Sequence, residues 1–153
     1  MAGFSPFRKK SSLREDMGIT KKYMASSVSL SLMVTAFWLV LLTLYGIANR
    51  SLDFSSFRPF YFLYYVLFWV PVQELFFRGF LQSRLYRLGN KFAAVIVTAV
   101  IFSLTHFMFD IQLVLFTLPA GLAWGFIMWK RPNILGPIIS HAILGQYLLQ
   151  FVV

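Results

Sequence analysis

Val70-Pro71-Val72-Gln73-Glu74-Leu75-Phe76-Phe77-Arg78-Gly79-Phe80-Leu81-Gln82 is the stretch on which the reading of this chain turns. It lies in a run, residues 60 to about 85, that is otherwise long and apolar enough to cross a bilayer. Glu74 is the one carboxylate inside an apolar run anywhere in the sequence, and Arg78 is the one guanidinium so placed. On insertion scales each such charge costs roughly 2.5–3.5 kcal/mol at bilayer depth. The two are spaced i to i+4 with the acid first, which puts them on one helix face in the favourable order. A pair of this kind either fixes helix register or serves chemistry.

The rest of the chain reads as membrane protein. Of 153 residues, 59% are hydrophobic, and the mean hydropathy is +0.72. That composition accommodates about five spans of ~20 residues and no separate soluble domain. The spans are expected at 28–48, 60–85, 91–109, 111–129 and 134–153, so the fold class is an all-α polytopic transmembrane bundle. Pro59 suits a first helical turn, Pro71 predicts a kink one turn before Glu74, and Gly89-Asn90 a helix end. Gly121 and Gly125 permit close helix packing. The many aromatics, Tyr61, Tyr64, Tyr65 and Trp69 among them, read as packing and an interface belt.

The net charge of +9 does not mark a nucleic-acid surface, because the basic residues sit at the ends of apolar runs. Residues 1–25 form a basic tail or short surface helix carrying Arg8, Lys9, Lys10, Arg14, Lys21 and Lys22. With this tail inside, Arg84, Arg87, Lys91, Lys130 and Arg131 are inside too, and Arg50 and Arg58 are outside. The asymmetry predicts a multi-pass plasma-membrane protein with a cytoplasmic N-terminus. Absence of cysteine excludes a thiol nucleophile, thiolate metal sites and disulfides.

Glu74, His106 and His141 fall on three different spans, and the chain has no other histidine. Counting ~1.5 Å per residue from the flanking basic residues puts Glu74 and His141 roughly 15 Å from the inner face and His106 roughly 22 Å. One carboxylate and two imidazoles meeting in a dry pocket have the makings of a water-activating site. They are also a donor set for a divalent metal such as zinc. Taken singly, each has an ordinary structural explanation: a buried ion pair for Glu74, Asp110 one turn on for His106, a neighbouring helix for His141.

At these residues the sequence resembles the CPBP family of intramembrane proteases, also called the CAAX prenyl protease type 2 or Abi family. Its motifs are Glu-Glu-x-x-x-Arg, Phe-x-x-x-His and His-x-x-x-Asn. Here Gln73-Glu74-Leu75-Phe76-Phe77-Arg78 stands at the first, Phe102-Ser103-Leu104-Thr105-His106 at the second, and His141-Ala142-Ile143-Leu144-Gly145 at the third. The resemblance covers about residues 60–151 of a bundle spanning 26–153. It implies a peptidase in which a motif glutamate activates water, two histidines assist and the arginine supports the acid. Substrates in the family include prenylated C-terminal tails, bacteriocin precursors and C-terminal sorting anchors.

Two positions depart from the pattern. Gln73 stands where the base is usually assigned, and a neutral amide takes no proton from water near pH 7. Gly145 replaces the asparagine, and Gln146 lies about 100° round the helix. The expectation is therefore an intramembrane endopeptidase with Glu74 as base, His106 and His141 positioning water and charge, Arg78 holding Glu74, and Gln73 donating hydrogen bonds. No cofactor is expected; if a metal binds, Glu74, His106 and His141 hold it. Its partners are membrane lipid and a peptide or protein with a membrane-proximal tail, not nucleic acid. The alternative is a catalytically inactive homologue that binds a partner helix or acts as an immunity protein. A small proton-handling transporter fits less well, because no inverted repeat is visible.

Overall fold

Five apolar helices make up the bundle in the computed structural model, which describes residues 12–55 and 57–152. A single turn, α1 (Leu13–Asp16), precedes α2 (Met24–Asn49), α3 (Pro59–Leu88), α4 (Lys91–Leu104), α5 (Ile111–Lys130) and α6 (Leu135–Val152). There is no strand among the described residues. Four of the helices, α2, α3, α5 and α6, are long and apolar enough to cross a membrane. Helix α2 packs along α6, and α4 along α5, with α3 touching α4, α5 and α6.

Burial is inverted relative to a water-soluble bundle. Met33, Phe37, Val40 and Leu44 of α2 are exposed, while Ser27, Ser31 and Thr35 of the same helix are buried against α6. Ser27 Oγ donates to the Asn133 carbonyl at 2.8 Å, and Thr35 Oγ1 to Ser140 Oγ at 2.7 Å. Apolar side chains outside and hydroxyls inside are what a lipid solvent selects.

Helix α3 begins at Pro59, as the sequence predicts, and ends at Gly89 with φ of +101°, a conformation open to glycine. Asn90 then starts α4 by accepting from the Ala93 N–H at 3.0 Å. At Pro71, where the sequence predicts a kink, the helix changes type. Residues Tyr65–Trp69 and Leu75–Gln82 are π-helical, and the Val70 N–H reaches back five residues to the Tyr65 carbonyl. Proline supplies no N–H and crowds the carbonyl four residues before it, so the preceding turn widens. One stripe of α3, Val70, Glu74, Arg78 and Gln82, is wholly buried.

Helix α4 is shorter than predicted. It stops at Leu104, and residues 105–109 form a turn instead of a fifth helical turn. Thr105 Oγ1 donates to the Phe102 carbonyl, the His106 N–H pairs with Ser103, and Asp110 caps α5 by accepting from the Gln112 N–H at 2.6 Å. These local bonds compete with the helix. Fourteen residues rise about 21 Å, short of a ~30 Å hydrocarbon core, so the turn carrying His106 lies inside the bundle's depth.

The basic tail is partly docked. Arg87 pairs with Asp16 at 2.9 Å, the Ile134 N–H donates to the Gly18 carbonyl, and the Asn133 amide donates to the Thr20 and Lys22 carbonyls. Arg8, Lys9 and Lys10 lie outside the described residues.

Candidate active site

Glu74 and Arg78 sit side by side on α3 with no exposure to the exterior. Glu74 Oε1 lies 3.2 Å from Arg78 Nη1 and 2.8 Å from His141 Nδ1 on α6. A carboxylate oxygen accepts, so Nδ1 carries the proton and Nε2 is the free nitrogen of that ring. Arg78 donates from Nη2 to the Gly121 carbonyl at 3.4 Å, and its guanidinium lies 4.2 Å from the Phe102 ring centre and 5.3 Å from that of Trp124. The glycines at 121 and 125 are more than packing surface. A Cβ at 121 would meet Arg78 Nη2 at 3.1 Å, and one at 125 would meet Gln82 Oε1 at 3.2 Å. Their bare backbones let Arg78 and Gln82 reach the carbonyls of α5.

The His141 ring stacks on Trp124 at 4.6 Å and meets Phe102 edge-on at 5.5 Å. Trp124 is itself fixed, with Nε1 donating to Ser140 Oγ at 2.9 Å. His106 packs edge-on against the other side of this cluster, 4.9 Å from Phe102. Its Nδ1 is 3.0 Å from the Phe102 carbonyl, not on Asp110, and a carbonyl only accepts. Nε2 of His106 is therefore also free.

The two imidazoles line one cavity of about 50 Å³, together with Tyr65, Thr117, Trp124 and Gly145. That volume holds a few waters at most. A second cavity of about 240 Å³ adjoins it, lined by Gln73, Thr105, His106, Tyr61 and Tyr65. Gln73 Oε1 is a buried acceptor with no protein partner among the described residues. Glu74 lines neither cavity; it meets the smaller one through His141. Gln146 turns to a lateral hollow with Thr43 and Tyr147, away from the histidines.

Among the described residues no three His, Cys, Asp or Glu side chains form a group that could hold a metal ion. Glu74 Oε1 and the Nδ1 of His141 are committed to each other. No step below uses a metal.

Tyr65, which from sequence reads as packing or interface belt, belongs to the site. A Cβ at Gly145 would overlap the Tyr65 hydroxyl, so the absent side chain of the third motif is replaced in space by a phenol from α3. Tyr65 is buried, lines both cavities and meets His141 edge-on at 6.2 Å. The only signal in the sequence was a glycine where a donor is usual.

A family model described as type II CAAX prenyl endopeptidase Rce1-like matches residues 55–145, more than half of the chain. No curated protein and no solved structure matches.

Proposed function

The chain belongs to the Rce1-like type II CAAX prenyl endopeptidase family, and from that premise we propose that it is an active intramembrane endopeptidase. Its substrate is a membrane-proximal C-terminal tail, anchor or precursor peptide. The observation that carries this reading is the 2.8 Å contact of Glu74 with His141, on a ring that opens into a cavity shared with His106.

Glu74 acts on water through His141. The carboxylate fixes the tautomer and stabilises the imidazolium that forms when Nε2 takes the water proton. Arg78 holds Glu74 in place from 3.2 Å, where no solvent reaches either group. His106 Nε2 accepts the water's other hydrogen bond and orients the attack. As the carbonyl carbon becomes tetrahedral, the Gln73 amide and the Tyr65 hydroxyl donate to its oxygen. The imidazolium then returns its proton to the leaving amine as the C–N bond breaks, and no metal takes part.

The test is cleavage of tagged candidate tails by the purified protein in lipid. Glu74→Gln is expected to abolish cleavage with the fold intact, and retained cleavage overturns the assignment of Glu74. Activity unchanged by a chelator is expected as well.

Gln73 favours a second reading, a homologue that binds a membrane helix without cutting it. Gln73→Glu separates the two. In a working enzyme the substitution is neutral or harmful, because a second carboxylate beside Glu74 repels it. In an inactive homologue it creates cleavage where there was none.

A further inference from the structure

A third cavity, of about 570 Å³, lies at the end of the bundle away from the basic face, lined by Ser51, Asp53, Arg58, Tyr61, Leu149 and Gln150 among others. It shares Tyr61 and Leu149 with the Gln73–His106 cavity, which in turn shares Tyr65, His106, Leu113 and Leu149 with the His141 cavity. Three adjoining spaces thus narrow from 570 to 240 to 50 Å³, and Leu149 walls all of them.

The mouth is built. The Arg58 N–H donates to Gln150 Oε1 at 2.9 Å and the Asp53 N–H to the Phe151 carbonyl at 3.0 Å, which fastens the α2–α3 loop to the end of α6. The Asp53 carboxylate accepts from Ser55 N–H and Oγ at 2.8 and 2.6 Å and is turned into its own loop. Arg58 is exposed and forms no ion pair among the described residues. The opposite end offers no comparable entry at Gly79, because Met17 of the docked tail covers it.

We propose that water and peptide enter from the face carrying Arg50 and Arg58, through this funnel, and that Arg58 receives a carboxylate of the entering segment. The occupant is a peptide strand flanking a membrane anchor, with an acidic side chain or its own C-terminal carboxylate near the cleaved bond. By the charge asymmetry of the loops this face is the extracytoplasmic one. The protease reading decides only what enters; the route stands without it.

The absence of cysteine makes the route measurable. Full-length protein carrying Ser51→Cys, Tyr61→Cys or Thr105→Cys, with Ser83→Cys as the marker of the basic face, is labelled in sealed vesicles of each orientation. The probes are membrane-impermeant anionic and cationic thiosulfonates. Labelling of all three positions from the face opposite Ser83 is expected, with Thr105 slowest. Adding Leu149→Trp is expected to block Thr105 and spare Ser51. Arg58→Glu is expected to lower the anionic-to-cationic rate ratio at Tyr61→Cys on the order of tenfold, from two unit charges' difference at ~10 Å in water. Labelling of Thr105 from the Ser83 face, or none while Ser51 labels, overturns the route. An unchanged ratio overturns the role of Arg58. Loss of cleavage with these results intact would fault the protease reading instead.

Discussion

The hydroxyl of Tyr65 fills the space that a side chain at Gly145 needs. The two positions are eighty residues apart on helices α3 and α6, yet only one of them can carry bulk. Tyr65→Phe removes the hydroxyl and leaves the ring, so kcat is expected to fall about 10²–10³-fold, the usual loss for one oxyanion donor. The unfolding midpoint in detergent should stay nearly unchanged. Gly145→Ala is expected to destabilise by about 1–3 kcal/mol through overpacking and to do so less in a Tyr65→Ala background. A double-mutant cycle on thermal unfolding measures this coupling, and additivity of the two changes would contradict it.

Glu74 is expected to separate chemistry from stability. Glu74→Gln retains the shape but leaves His141 Nδ1 facing an amide, which no longer fixes the tautomer or stabilises imidazolium. Cleavage should drop on the order of 10⁴-fold, as it does when a buried triad acid is made neutral. Arg78→Met acts differently, because it strands a carboxylate with no exposure. It is expected to cost about 3–5 kcal/mol. Glu74→Gln added to Arg78→Met should recover part of that loss in stability and none in activity, which unfolding and single-turnover assays report separately.

The two glycine environments make opposite predictions for alanine. At Gly121 the new methyl would meet Arg78 Nη2 at 3.1 Å and Phe102 Cδ1 at 3.2 Å, both on fully buried side chains. Gly121→Ala should cost about 1–3 kcal/mol and also lower kcat, since it displaces the partner of Glu74. At Gly89 nothing lies within 4 Å, but φ is +101°. Gly89→Ala should cost about 1–2 kcal/mol from backbone strain and leave kcat alone. Equal effects on activity at the two positions would remove the link between Gly121 and the site.

Glu74 and Arg78 were legible in the sequence because charge is rare in an apolar run and has to be accounted for. The helices were legible for the same reason, as long uncharged segments closed by Arg50, Gly89-Asn90 and Lys130. The end of α4 was not, because Thr105 and Asp110 act through local hydrogen bonds that hydropathy does not register. Nor was the place of Tyr65. One phenol among Tyr61, Tyr64 and Tyr65 is singled out only by the π-helical turn before Pro71 and by what faces it on α6. The glycine pair at 121 and 125 reads from sequence as helix packing alone, because the side chains that use it, Arg78 and Gln82, meet it only across assembled helices.

Ser140 provides the remaining test, since it holds the surface on which His141 lies. Its hydroxyl oxygen accepts from Trp124 Nε1 at 2.9 Å and from Thr35 Oγ1 at 2.7 Å, deep between α2, α5 and α6. Ser140→Ala leaves Thr35 its bond to the Ser31 carbonyl but orphans the indole N–H, at a cost of about 1–3 kcal/mol. The Trp124 ring, freed to turn, no longer stacks squarely on His141, so kcat should fall while KM holds. Trp124→Phe keeps an aromatic face and needs no acceptor. Combined with Ser140→Ala it should therefore be more stable than the sum of the two single changes predicts, and a simple sum would mean that the indole hydrogen bond does not position the histidine.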